Sequence, residues 1–157
     1  LVLSAVLGGW AFYNVLESRA RSGRALTGLA VASFALMLIG WVVVVLGTGR
    51  LVYPVNGLPV IADDGLQAAV AEIYWAWHLC DIMLGGLMIA WAGSSCRPLW
   101  KHSGAAIGLA QILSTYFGQP VKPIPMLIAI ALSTAWMLMR GVSSNNGLES
   151  EAVQEAE

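Results

Sequence analysis

Charge is scarce in this chain. Eight Lys or Arg and nine Asp or Glu make up 11% of its 157 residues, where soluble domains carry about a quarter. With 58% hydrophobic residues and a mean hydropathy of +0.73, a soluble fold of this size could not hide so much apolar surface; lipid removes the need to hide it. The basic residues form no long run and do not interleave with aromatics, so a nucleic-acid interface has no support. No Gly-rich phosphate loop, HExxH pair or Gly-x-Ser-x-Gly elbow occurs, and nucleotide-driven or hydrolytic chemistry lacks its usual parts. Enzyme activity by the chain alone is disfavoured. No lysine lies inside an apolar run, which removes the amine that a retinal Schiff base requires. Two cysteines, Cys80 and Cys96, do not make a disulfide framework.

What remains is a set of long apolar runs. Residues 25–49 contain no Asp, Glu, Lys or Arg, and about twenty such residues cross a hydrocarbon core of about 30 Å. Further runs cover residues 1–17, 69–93, 103–118 and 124–139; the last two rise only about 24 Å each at 1.5 Å per residue. The pattern predicts an all-α, polytopic integral membrane protein with about five transmembrane helices over residues 1–142. An acidic, solvated tail follows over 143–157. Four spans with a re-entrant segment around Pro120, Pro123 and Pro125 are the alternative. Residues 50–68, with Pro54, Asn56-Gly57 and Pro59, read as a turn-rich connection rather than a helix.

Loop charges set an orientation. Arg19, Arg21 and Arg24 separate spans one and two, Arg97 and Lys101 separate three and four, and Arg140 follows span five. By the positive-inside tendency these loops and the C-terminus face the cytoplasm of a bacterial inner membrane. Glu149, Glu151, Glu155 and Glu157 crowd the tail, leaving residues 1–148 with eight basic against five acidic residues. Residues 1–17 lack a preceding basic region and read as the remainder of a first membrane helix, not as a signal peptide.

The third run carries the chemistry. Tyr74, His78 and Asp81 stand at i, i+4 and i+7 and line one helical stripe, and ionisable groups inside a span mark a functional site by default. A carboxylate three residues after a histidine can fix its tautomer and raise its basicity. Such a stripe could hold a quinone carbonyl, present His78 as a single axial ligand to a haem or chlorin, or relay protons. The same groups could equally satisfy one another and fix packing. His102 stands at the start of span four, too far in depth to complete a bis-histidine haem with His78. Cys80 points about 200° around the helix from His78, so a metal held by this chain alone has weak support. Gln111, Ser114 and Thr115 of span four are candidate partners for the stripe.

Glu72 reads as an outer-end residue reaching interfacial water, with Trp75 and Trp77 beside it. Trp10, Trp91, Trp100 and Trp136 read as interfacial anchors by the same rule, and Trp41 as a deeper residue packing against a partner or a pigment. Gly104 and Gly108 form a GxxxG, and Gly86 with Ala90 repeats the small spacing, so these positions are predicted to let helices approach closely in lipid. A proline-containing loop before a helix bearing Gly85-Gly86 loosely resembles the topology of small multi-span families such as the DoxX-like membrane proteins. The expected role is a small accessory subunit, surrounded by lipids and other membrane subunits, in a larger bacterial redox or energy-converting complex. A quinone-, haem- or chlorin-binding oxidoreductase component, and a small transporter or proton pathway, are the alternatives.

Overall fold

The computed structural model describes the backbone of residues 2–52, 63–117 and 124–154, and the side chains of most of residues 3–18, 23–51, 65–115 and 124–142. Among the described residues the protein is all-helical: α1 (Val2–Glu17), α2 (Arg19–Val52), α3 (Asp63–Gly93), α4 (Pro98–Phe117) and α5 (Ile124–Gln154). Two stretches, Gly23–Leu51 and Gly65–Gly93, are long and apolar enough to cross a membrane, and Leu127–Val142 is a shorter apolar helix.

Helix ends differ from the apolar runs because polar residues also form helix. α3 begins at Asp63, six residues before its apolar run, and α2 continues to Val52, so both take residues from the expected 50–68 connection; residues 53–62 lie outside the described set. α4 begins at Pro98, where proline's fixed φ and missing N–H suit a first helical position. α5 runs on to Gln154, so its helical backbone enters the segment read as a tail. The prolines of the re-entrant alternative fall apart: Pro120 and Pro123 lie outside the described residues, and Pro125 sits in the first turn of α5, where proline is tolerated. Within α2, Gly23 has φ 71° and ψ 167°, a region essentially confined to glycine. That residue turns the short 19–22 segment away from the long apolar part of α2.

The helices pack up-and-down, with α3 at the centre against α1, α2 and α4. The α2–α3 register is antiparallel: Leu26 lies against Gly93, Ser33 against Gly86, Gly40 against Ala76 and Cys80, and Gly47 against Ile73. Cys80 donates its S–H to the Met37 carbonyl at 3.5 Å. α4 descends along α3 in the opposite sense, with Gly104 against Ala92, Gly108 against Met88 and Gly85, and Ile112 against Gly85. α1 joins through Phe12, stacked on Phe34 with ring centroids 4.4 Å apart.

Of the four tryptophans read as interfacial anchors, two are buried in the bundle and two are half-buried against the same core. Trp91 and Trp136 are buried, Trp10 and Trp100 pack against the same core, and the rings meet in sequence: Trp10–Trp91 at 5.7 Å, Trp91–Trp136 at 5.4 Å and Trp136–Trp100 at 6.0 Å. The polar edges are anchored, since Trp136 Nε1 donates to Ser103 Oγ at 3.0 Å. Arg140 lies over Trp91 and Trp136, 5.7 and 5.9 Å from the ring centres, and donates to Ser95 Oγ at 2.7 Å. Edge-to-face rings and a cation on their faces are each favourable beyond area burial, so the cluster clamps α1, α3, α4 and α5 at one end.

Candidate functional site

The site lies on α3, at the level where α4 and α5 give out. From the pairs Gly108–Gly85 and Ile112–Gly85, one more turn along both helices brings Asp81 level with Thr115. α4 ends at Phe117 and α5 begins at Ile124, so among the described helices only α2 continues beside α3 past that level. The stripe therefore divides. Asp81 is in the packed bundle, only 2% exposed, whereas His78 is half-buried and Tyr74 is 41% exposed.

Tyr74 and His78 meet through their rings, with centroids 4.3 Å apart and planes at 81°. Helical i, i+4 spacing places the two rings one above the other, in edge-on contact. Trp75 and Trp77 flank them, 74% and 40% exposed, and Glu72 is exposed. Cys80 turns away into the α2–α3 seam through its bond to Met37. The angular separation read from the helix is what separates it from the stripe.

Asp81 is the least compensated group. Its Oδ2 is buried and meets no hydrogen-bond donor among the described residues. An ionised carboxylate out of water costs several kcal/mol unless it is paired. The Arg and Lys side chains described in this fold cannot supply that pairing: by helix rise each is displaced by roughly 15–25 Å along the axis. At about 17 Å and an effective dielectric of about 20, a unit charge recovers only about 1 kcal/mol.

Across the seam, α4 and α5 present hydroxyls and an amide. Gln111 and Ser133 are fully buried, and Ser133 Oγ donates to Gln111 Oε1 at 3.3 Å. Gln111 Nε2 is buried without an acceptor among the described residues. Ser114 is bonded back to the Gln111 carbonyl at 2.8 Å, and Thr115 to the Ile112 carbonyl, so both hydroxyl protons are spent within α4 while their oxygens can still accept. On α2, Trp41 Nε1 is a third buried polar atom without a partner among the described residues; the Gly40–Ala76 contact puts Trp41 near the level of His78. Gln111, Ser114 and Thr115 could be named from sequence. Ser133 could not, because its place depends on how α5 packs, and Trp41, singled out as a deep residue, takes its level beside α3 from how α2 packs.

The small residues lie in the seams. Gly108 faces the Gly85 carbonyl, with 2.8 Å left for any added Cβ, and Gly104 faces Trp136 and Ala92. Gly86 faces Ser33 of α2 rather than α4, and Ala90 is fully buried. His102, at the start of α4, is exposed and by helix rise lies roughly 20 Å or more from Asp81. Among the described residues no three His, Cys, Asp or Glu side chains gather as a metal-ligand group. No protein-family model, curated protein or solved structure matches the chain, so the topological likeness to DoxX-like proteins carries no assignment.

Proposed function

We propose that this chain is a small polytopic membrane protein that serves as an accessory subunit, docking on larger membrane subunits of a bacterial redox or energy-converting complex through the α2–α3 extension. The two long apolar helices support the membrane setting. The observation that carries the docking reading is the half-buried His78, in edge-on contact with Tyr74 where only α2 among the described helices covers α3. An imidazole facing hydrocarbon is unfavourable, and another protein surface, or a cofactor held at that surface, removes the exposure. The surrounding Tyr74, Trp75 and Trp77 are residue types enriched where proteins meet.

The test is extraction from native membranes in a mild detergent, followed by sizing, with a photo-reactive amino acid at Trp75. The expected outcome is a complex larger than the chain and a crosslink to one or two defined membrane proteins. A stable monomer with no crosslink would sink the reading. The same preparation carries the cofactor alternative: an absorption band lost in His78→Ala would assign a haem or chlorin to His78, whereas a colourless complex leaves the pigment forms without support.

A further inference from the structure

We propose that Asp81 binds one monovalent cation, a proton or an alkali ion, inside the α3–α4 seam. The inference goes beyond the docking reading and is independent of it, because it rests on the interior of the bundle and not on its exposed face. Asp81 is 2% exposed, with Oδ2 buried and unpartnered among the described residues. A buried carboxylate in a weakly polar surround is neutralised either by a bound proton or by a cation in contact with it.

Among the described side chains no charge fills that role. On α1 the described titratable groups are Tyr13 and Glu17, both exposed. On α2 they are Arg24 and Arg50, beyond opposite ends of the stretch that faces Asp81. On α4 the described ones are Lys101 and His102, in its first turns and exposed. α5 offers Arg140, committed to Ser95 and the Trp91 and Trp136 rings. On α3 itself, Glu72 is exposed, Cys80 donates to Met37 and His78 makes its ring contact with Tyr74.

The opposite wall has the composition that a small cation needs. Thr115 stands level with Asp81, and the Ser114 and Thr115 hydroxyls use their protons within α4, which leaves their oxygens as acceptors. Hard monovalent ions and protonated carboxyls both seek oxygen acceptors of this kind. The occupant is small, because Gly85 and Gly108 bring the two helices to backbone contact one turn away.

The chain has three aspartates, Asp63, Asp64 and Asp81, so Asp63→Asn with Asp64→Asn leaves Asp81 alone. In that background, in liposomes, two readouts follow: labelling of the carboxyl by an apolar carbodiimide, located by mass spectrometry, and the isotope-edited infrared bands of ¹³C-aspartate. A proton site predicts labelling that falls about tenfold per pH unit above its midpoint, with loss of a protonated-carboxyl band over the same range. A sodium site predicts that Na⁺, but not choline, suppresses labelling and shifts the carboxylate band. A carboxylate band that answers neither to pH nor to alkali ions overturns the proposal, whether or not the reagent reaches the residue. The proposal is equally overturned if His78→Gln abolishes the pH or ion response, because the imidazole would then be the cation. The infrared readout needs no substitution at Asp81, so it does not depend on a variant of that residue folding.

Discussion

At the scale of single residues, the feature most at odds with composition is the burial of Trp91 and Trp136. An aromatic belt and a packed interior both draw on tryptophan, so sequence alone cannot tell an anchor from a core residue. Arg140 is what converts the four rings into a clamp, through Ser95 and two ring faces. Arg140→Met keeps a long apolar stem but removes the hydrogen bond and both cation–π contacts. A loss of about 1–3 kcal/mol is expected, read as a lower unfolding midpoint in detergent together with a shift of tryptophan fluorescence. Arg140→Lys keeps the charge without the planar fork and should fall between the two; a lysine variant as stable as the parent would show that charge alone, and not stacking, carries the contribution. The Tyr74–His78 contact is legible in sequence because i, i+4 spacing is local. The Gln111–Ser133 pair is not, because residues 22 apart in the chain meet only once α4 and α5 have packed.

At the scale of helices, number and order follow from the apolar runs, while the ends do not. Hydropathy falls where Asp63, Asp64 and Gln67 begin α3 and where Arg97 and Lys101 surround the start of α4, yet polar residues are competent helix formers. Backbone hydrogen bonding continues where apolarity stops, and α3 is a full turn and more longer than its run. Small residues are easier to read as contact points than to pair with a partner. Gly86 belongs to the α2 seam and Gly108 to the α4 seam, although both follow from the same spacing rule. At Gly108 an added Cβ would lie 2.8 Å from the Gly85 carbonyl oxygen and 3.2 Å from Met88 Cβ. Backbone cannot rotate away as a side chain can, so Gly108→Ala should push α4 off α3 and cost about 1–3 kcal/mol. Gly28→Ala meets nothing within 4 Å, and removing glycine's flexibility there should leave stability unchanged or raise it by about 0.5–1 kcal/mol. Denaturant titration of both variants in one detergent supplies the comparison. Equal midpoints for the two would mean that the α3–α4 seam tolerates separation.

At the scale of the whole molecule, the up-and-down packing sorts the charges by end. The α1–α2 turn, the α3–α4 turn and Arg140 come together at the end clamped by the tryptophans, and with them Arg24, Arg97 and Lys101. The opposite end holds the Arg50 and Glu72 levels of the α2–α3 extension. Sequence order alone lists these basic residues far apart; antiparallel helices bring them to one end of the bundle, and the positive-inside tendency acts on charge sorted in this way. The chain contains its own reporter for that orientation. Cys96, in the α3–α4 turn, is exposed, and Cys80 is buried against Met37. A membrane-impermeant maleimide should therefore label Cys96 in inverted inner-membrane vesicles, leave intact spheroplasts unlabelled, and give no signal from Cys96→Ser in either. Labelling confined to spheroplasts would reverse the proposed orientation. Labelling of both preparations to the same extent would mean that the α2–α3 hairpin does not cross the membrane, and the buried carboxylate at Asp81 would then need explaining as a feature of a surface-bound bundle.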